Sequence, residues 1–110
     1  MTRSKSHRYC MAGMNISSEF PLPELIPLDF EGRPDVEIRI ASVPESLPNG
    51  TQAMPEAQVA PGAVLLTIPG VGRYHVLKGR EIRVEPFGLA EEQDVRLFLL
   101  GSAFGAIHLQ

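Results

Sequence analysis

The sequence predicts an α+β domain: a small antiparallel β-sheet packed on one C-terminal α-helix. Three observations predict it. Residues 63–86 alternate apolar and polar side chains in three short runs separated by turn signals, the pattern of a meander with one apolar face. Residues from about Ala90 to His108 are rich in apolar residues and open on an acidic turn, which reads as a helix. Most of the prolines lie between Pro21 and Pro61, where they favour extended chain over helix.

The elements follow in order. Arg3, Lys5, His7 and Arg8 form a basic cluster, so residues 1–8 are expected to be a flexible, solvated tail. A strand is expected near residues 9–16, carrying Cys10, Met11, Met14 and Ile16, although its alternation is poor. In "SEFPLPEL" (Ser18 to Leu25) two prolines hold the backbone extended, so that Phe20, Leu22 and Leu25 can clamp onto a sheet edge. In "PDVEIRI" Val36, Ile38 and Ile40 share one face and Glu37 and Arg39 the other, which predicts a strand near 35–41. Residues at about 44–62 hold the turn dipeptide Asn49-Gly50 and no apolar period, and are expected to be a mobile loop.

The meander comes next. Val64, Leu66 and Ile68 alternate, and "PGVG" turns the chain. Tyr74 and Val76 alternate with Arg73, His75 and Leu77. "KGR" turns it again, and Ile82 and Val84 alternate with Glu81, Arg83 and Glu85. In the final helix Val95, Phe98, Leu99, Ala103 and Ala106 fall on one side at 3.6-residue spacing, and Leu97, Leu100, Phe104 and Ile107 spread onto the other. A helix on a protein surface needs an apolar stripe of only about 100°. The surplus predicts a second covered side, with Leu97, Leu100, Gly101, Phe104, Gly105 and Ile107 as the candidate interface. The Gly101/Gly105 spacing suits close packing against another backbone.

The chain has 110 residues, enough for one domain, here residues 9–110. Its formal charge of -3 gives no reason to expect nucleic acid as a partner. No apolar run reaches the ~20 residues of a membrane span, and no apolar run follows the first charges as in a secretory signal. No membrane partner is therefore expected. A single cysteine, Cys10, cannot form an internal disulfide, which suits a cytoplasmic location.

Chemistry is sparse. No phosphate-binding G-x-x-x-x-G-K-[ST] occurs, and Gly70-Val71-Gly72 lies between strands as a hairpin turn. His7, His75 and His108 have no second ligand at metal spacing. A small enzyme using Asp29, Glu31 or His75 would need a pocket that assembles them. No catalytic, cofactor-binding or metal residue is assigned. The charged strand face, with Arg73, His75, Glu81 and Arg83, is a candidate surface for a peptide or a neighbouring domain, or a solvated face held by cross-strand pairs.

"SEFPLPEL", "PDVEIRI", "IPGVGRYHVLKGREIRVEP" (Ile68 to Pro86) and "DVRLFLLGSAFGAIHLQ" (Asp94 to Gln110) occur in this order. Together they resemble the N-terminal region of serine kinases related to HPr kinase/phosphorylase, over about Tyr9 to Gln110. The resemblance implies a non-catalytic accessory domain that supports a following kinase domain, oligomerisation or recognition of a protein or peptide substrate. Some relatives act in the making of modified peptides, lasso peptides among them. ATP and magnesium are implied only for the P-loop kinase domain, which lies outside this sequence. The implied partner is that kinase domain or another protein, with a homo-oligomer possible. The alternative is a stand-alone module that docks another protein through its last helix.

Overall fold

The computed structural model describes residues 7–107. Nine strands form one sheet: β1 (His7–Met11), β2 (Met14–Ser18), β3 (Ile26–Pro27), β4 (Val36–Ile40), β5 (Thr51–Met54), β6 (Ala57–Ala60), β7 (Ala63–Ile68), β8 (Gly72–Leu77) and β9 (Glu81–Pro86). Their order across the sheet is β3-β1-β2-β4-β9-β8-β7-β6-β5. A helical segment follows as α1 (Glu92–Phe98), a π-helical turn (Leu99–Ala103) and α2 (Phe104–Ile107).

The expectation of a small antiparallel sheet is therefore corrected. The chain is mostly β, and its sheet is mixed, because β2 and β9 both pair with β4 in parallel. Alternation along a strand cannot disclose such non-local pairings. The strand expected near 9–16 is a hairpin. It turns at Ala12 and Gly13, whose φ values of 51° and 78° match the two positive-φ positions of a tight hairpin loop. The loop expected at about 44–62 contains β5 and β6, a hairpin in which the register shifts between Gln52 and Met54. The Gln52 amide donates to the carbonyls of Met54, Pro55 and Ala57, which holds the irregular turn. His7 and Arg8, placed in the tail by their charge, belong to β1; the other tail residues lie outside the described residues.

The meander pairs its apolar residues with one another: Val64 faces Val76 and Val76 faces Ile82, while Leu66 faces Tyr74 and Tyr74 faces Val84. Gly72 permits the close approach of β9, since a Cβ there would lie 2.7 Å from the Glu85 carbonyl oxygen. With Ile16, Val36 and Ile38, these side chains make the inner face. The "SEFPLPEL" segment packs on this core through buried Leu22 and half-buried Phe20 and Leu25. The Leu22 N–H donates to the Tyr9 hydroxyl at 2.8 Å.

The helix covers the inner face with Val95, Leu99, Ala103, Phe104, Ala106 and Ile107. At 100° per residue, Phe104 would point about 180° away from Val95. The π turn accommodates one extra residue and swings the last turn back by about 100°. Phe104 and Ile107 are consequently buried in the chain's own core, which corrects their placement in an outward interface. The Tyr74 hydroxyl donates to the Val95 carbonyl at 2.7 Å and ties α1 to the middle of β8. Burial, and secondarily Asp94, raises the Tyr74 pKa well above the usual phenol value.

Deleting Ser102 should convert the π turn to regular helix and leave Phe104 and Ile107 inward. The melting temperature is then expected to fall by only a few degrees, whereas Phe104→Ala should cost about 3–5 kcal/mol. Leu97→Ala, at a side chain 64% exposed, should stay within about 0.5 kcal/mol. Chemical denaturation of the three variants checks this order.

Candidate functional site: two faces and a trench

The outer face of the sheet carries the predicted charged surface. Reading across β7, β8, β9 and β4, one row is Leu65, His75, Arg83 and Arg39; the next is Ala63, Leu77, Glu81 and Glu37. Like charges therefore face each other across the parallel β4–β9 pair. Each arginine is neutralised along its own strand. Arg39 Nη2 lies 2.7 Å from Glu37 Oε2, and Arg83 Nε lies 2.7 Å from Glu81 Oε2. The Glu37 hydrogen bond, with its charge, raises the Arg39 pKa.

Arg73 has a different setting. It lies 3.6 Å from Glu85 on the neighbouring strand and 3.3 Å from Glu45. Its guanidinium also sits over the Phe87 ring at 5.3 Å. Glu45 belongs to the segment 41–50, which folds across the outer face and buries Val43 and Leu47 against Leu65. The Val43 N–H donates to Glu85 Oε1 and the Leu47 N–H to Gln58 Oε1, both at 2.9 Å. Arg73 is thus occupied by its own chain. Arg73, His75, Glu81 and Arg83 do share one face, and its arginines pair with carboxylates of the same chain.

His75 is the exception on this face. Its Nδ1 is buried without a hydrogen-bond partner. Desolvation, and then the Arg83 charge opposite it, lowers its pKa; Glu81 acts weakly in the other direction. Asp29 and Glu31 are exposed in a loop far along the chain from His75. Among the described residues, no three of His, Cys, Asp or Glu converge as metal ligands.

The inner face leaves a second surface. The helix covers the middle of the sheet, and beyond it the β5–β6 end stays partly open. A trench of about 650 Å³ runs between them. Its sheet wall includes Met54, Val59, Leu66 and Ile68, and its helix wall Phe98, Gly101, Ser102 and Gly105. Met54 and Val59 are exposed. A Cβ built on Gly101 or Gly105 would meet nothing within 4 Å, so both glycines present bare helix backbone to the open space. Leu97 and Leu100 border a shallower hollow on the other side of Gly101, with Glu24 and Asp94. Of the predicted interface residues, Gly101 and Gly105 line the trench, Leu97, Leu100 and Gly101 line the hollow, and Phe104 and Ile107 are withdrawn into the core. The sheet wall was missed because Met54 and Val59 sit in strands without an apolar period.

Among the described residues, no helix is long and apolar enough to cross a membrane. No protein-family model matches the chain, and no curated protein or solved structure is significantly similar to it.

Because His75 resists protonation in the folded chain, the unfolded chain takes up that proton first as pH falls. Its contribution to stability is full above the ordinary imidazole pKa of ~6.5 and declines as pH drops towards the lowered folded-state value. The melting temperature should therefore rise from pH 5 to pH 7.5, and His75→Val should flatten that rise. Thermal unfolding across this range checks it.

Proposed function

We propose that this chain is a non-catalytic docking domain that receives an amphipathic helix of another protein domain in the trench beside its C-terminal helix. The observation that carries this is the half-covered inner face. One helix closes the centre of an apolar sheet surface, and the space next to it has an apolar floor and a glycine-lined wall. Small residues on a helix let a second backbone approach closely. Acidic Glu56 on the trench and Asp94 beside Leu97 favour a helix with basic flanks.

Strand addition fits less well. The β3 edge is two residues long and contains Pro27, and the β5 edge is irregular and followed by Pro55. Both are features that discourage edge pairing. The more specific version makes the incoming helix part of an ATP-dependent serine kinase domain of the HPr kinase-like kind, with this chain as its accessory domain. That version rests on the sequence resemblance alone. The stand-alone module would use the same trench for a separate protein.

The test has two parts. The coding sequence beyond residue 110 is read for a strand followed by G-x-x-x-x-G-K-[ST], and the encoded domain is co-expressed with this chain. Gly101→Leu/Gly105→Leu is expected to abolish co-purification while raising the stability of the isolated chain, since leucine favours helix over glycine by up to about 1 kcal/mol per site. Undiminished co-purification of that variant would exclude the trench. A stop codon at that point would remove the kinase version.

A further inference from the structure

A separate pocket lies where the "SEFPLPEL" segment, the ends of β4 and β9 and the start of α1 meet. It shares no lining residue with the trench. Its volume is about 140 Å³, and its walls are Phe20, Pro21, Ile40, Pro86, Ala90 and Val95. Glu92 and Arg96 complete the rim. Ile40 is the terminal residue of an alternating strand, yet it is 54% exposed, because among the described residues nothing caps the inner face there.

The walls are held in place. The Ile40 N–H donates to Glu19 Oε1 at 2.8 Å, and the Glu19 N–H donates to the Ile38 carbonyl at 3.1 Å, which fixes the segment carrying Phe20 and Pro21 against β4. Arg96 Nε bonds both oxygens of Glu24, at 3.0 and 2.8 Å, and ties the same segment to α1. That bond lowers the Glu24 pKa. A cavity of about 150 Å³ with apolar walls accepts a benzene-sized ring. The Arg96 charge is committed to Glu24, and Glu92 reaches Arg96 only at 3.9 Å with its side chain 95% exposed. The uncommitted charge at the rim is therefore a carboxylate.

We propose that this pocket binds one leucine- or phenylalanine-sized side chain of a partner polypeptide that carries a lysine or arginine beside it. The apolar side chain would displace water from Phe20, Ile40 and Val95, and the cation would pair with Glu92. The fully exposed Leu89, next to Ala90, adds apolar surface for the flanking chain.

The test is an amide-shift NMR titration of the whole chain with three capped tripeptides: Lys-Phe-Lys, Glu-Phe-Glu and Lys-Ala-Lys. Saturable shifts at Phe20, Ile40, Ala90 and Val95 are expected with Lys-Phe-Lys, and at least tenfold weaker binding with the other two. Equal binding of Lys-Ala-Lys would overturn the apolar half of the proposal, and equal binding of Glu-Phe-Glu the ionic half. No localised shift at millimolar Lys-Phe-Lys would overturn both. Ala90→Leu, which fills the pocket, should remove the response. Glu92→Lys, at a solvent-exposed side chain, should reverse the preference between the two phenylalanine peptides; unchanged binding in either variant counts against the site. Gly101→Leu/Gly105→Leu should leave this titration unaltered, so failure here and failure of the trench are told apart.

Discussion

One helix has to close the inner face of a nine-stranded sheet, and the rest of the structure depends on how it does so. A regular α-helix with this sequence would spread its large side chains over two sides. The π turn at Leu99–Ala103 gathers Phe104 and Ile107 onto the side already held by Val95 and Leu99. The Tyr74 hydroxyl, bonded to the Val95 carbonyl, anchors the start of the helix over the centre of the sheet. Burial of the large helix residues dominates the energetics here, because a Phe or Leu side chain contributes about 1.5–3 kcal/mol when fully buried, against about 1 kcal/mol for the hydrogen bond.

The same arrangement decides which surfaces remain for other molecules. By concentrating its bulk over β8 and its neighbours, the helix leaves Met54 and Val59 of β5 and β6 exposed and turns Gly101 and Gly105 towards the open trench. The outer face has the opposite character. Segment 41–50 lies across it, and its arginines are balanced by Glu37, Glu81, Glu85 and Glu45. A partner at that face would have to compete with existing ion pairs. A partner in the trench would bury apolar surface that now contacts solvent.

Legibility in the sequence followed the range of the physics involved. The β7–β9 meander was readable because period-two alternation and the Lys78-Gly79 turn are both local signals. The β1–β2 hairpin was hidden because its turn places an alanine, Ala12, at positive φ, where Asn or Gly would have announced it. Strands β5 and β6 are four residues each, too short to show an apolar period, and β6 pairs beside β7 with β5 beyond it. The parallel contacts of β4 join segments far apart in the chain. At the candidate site, Leu97, Gly101 and Gly105 were found because the helix carries more apolar surface than one sheet needs. Phe104 and Ile107 were misplaced because a constant 3.6-residue period does not survive a π turn. Ile40 was placed on one face with Val36 and Ile38, yet it is exposed, because alternation says which way a side chain points and nothing of whether anything lies above it.

The most direct measurement is the attenuation of side-chain and amide NMR signals by a soluble nitroxide along residues 92–107. The Leu97 methyls and the Gly101 and Gly105 amides should broaden strongly, while Leu99, Phe104 and Ile107 stay sharp. Attenuation of Phe104 and Ile107 equal to that of Leu97 would mean that the helix is continuous, that its second side faces out, and that the trench does not exist in this form.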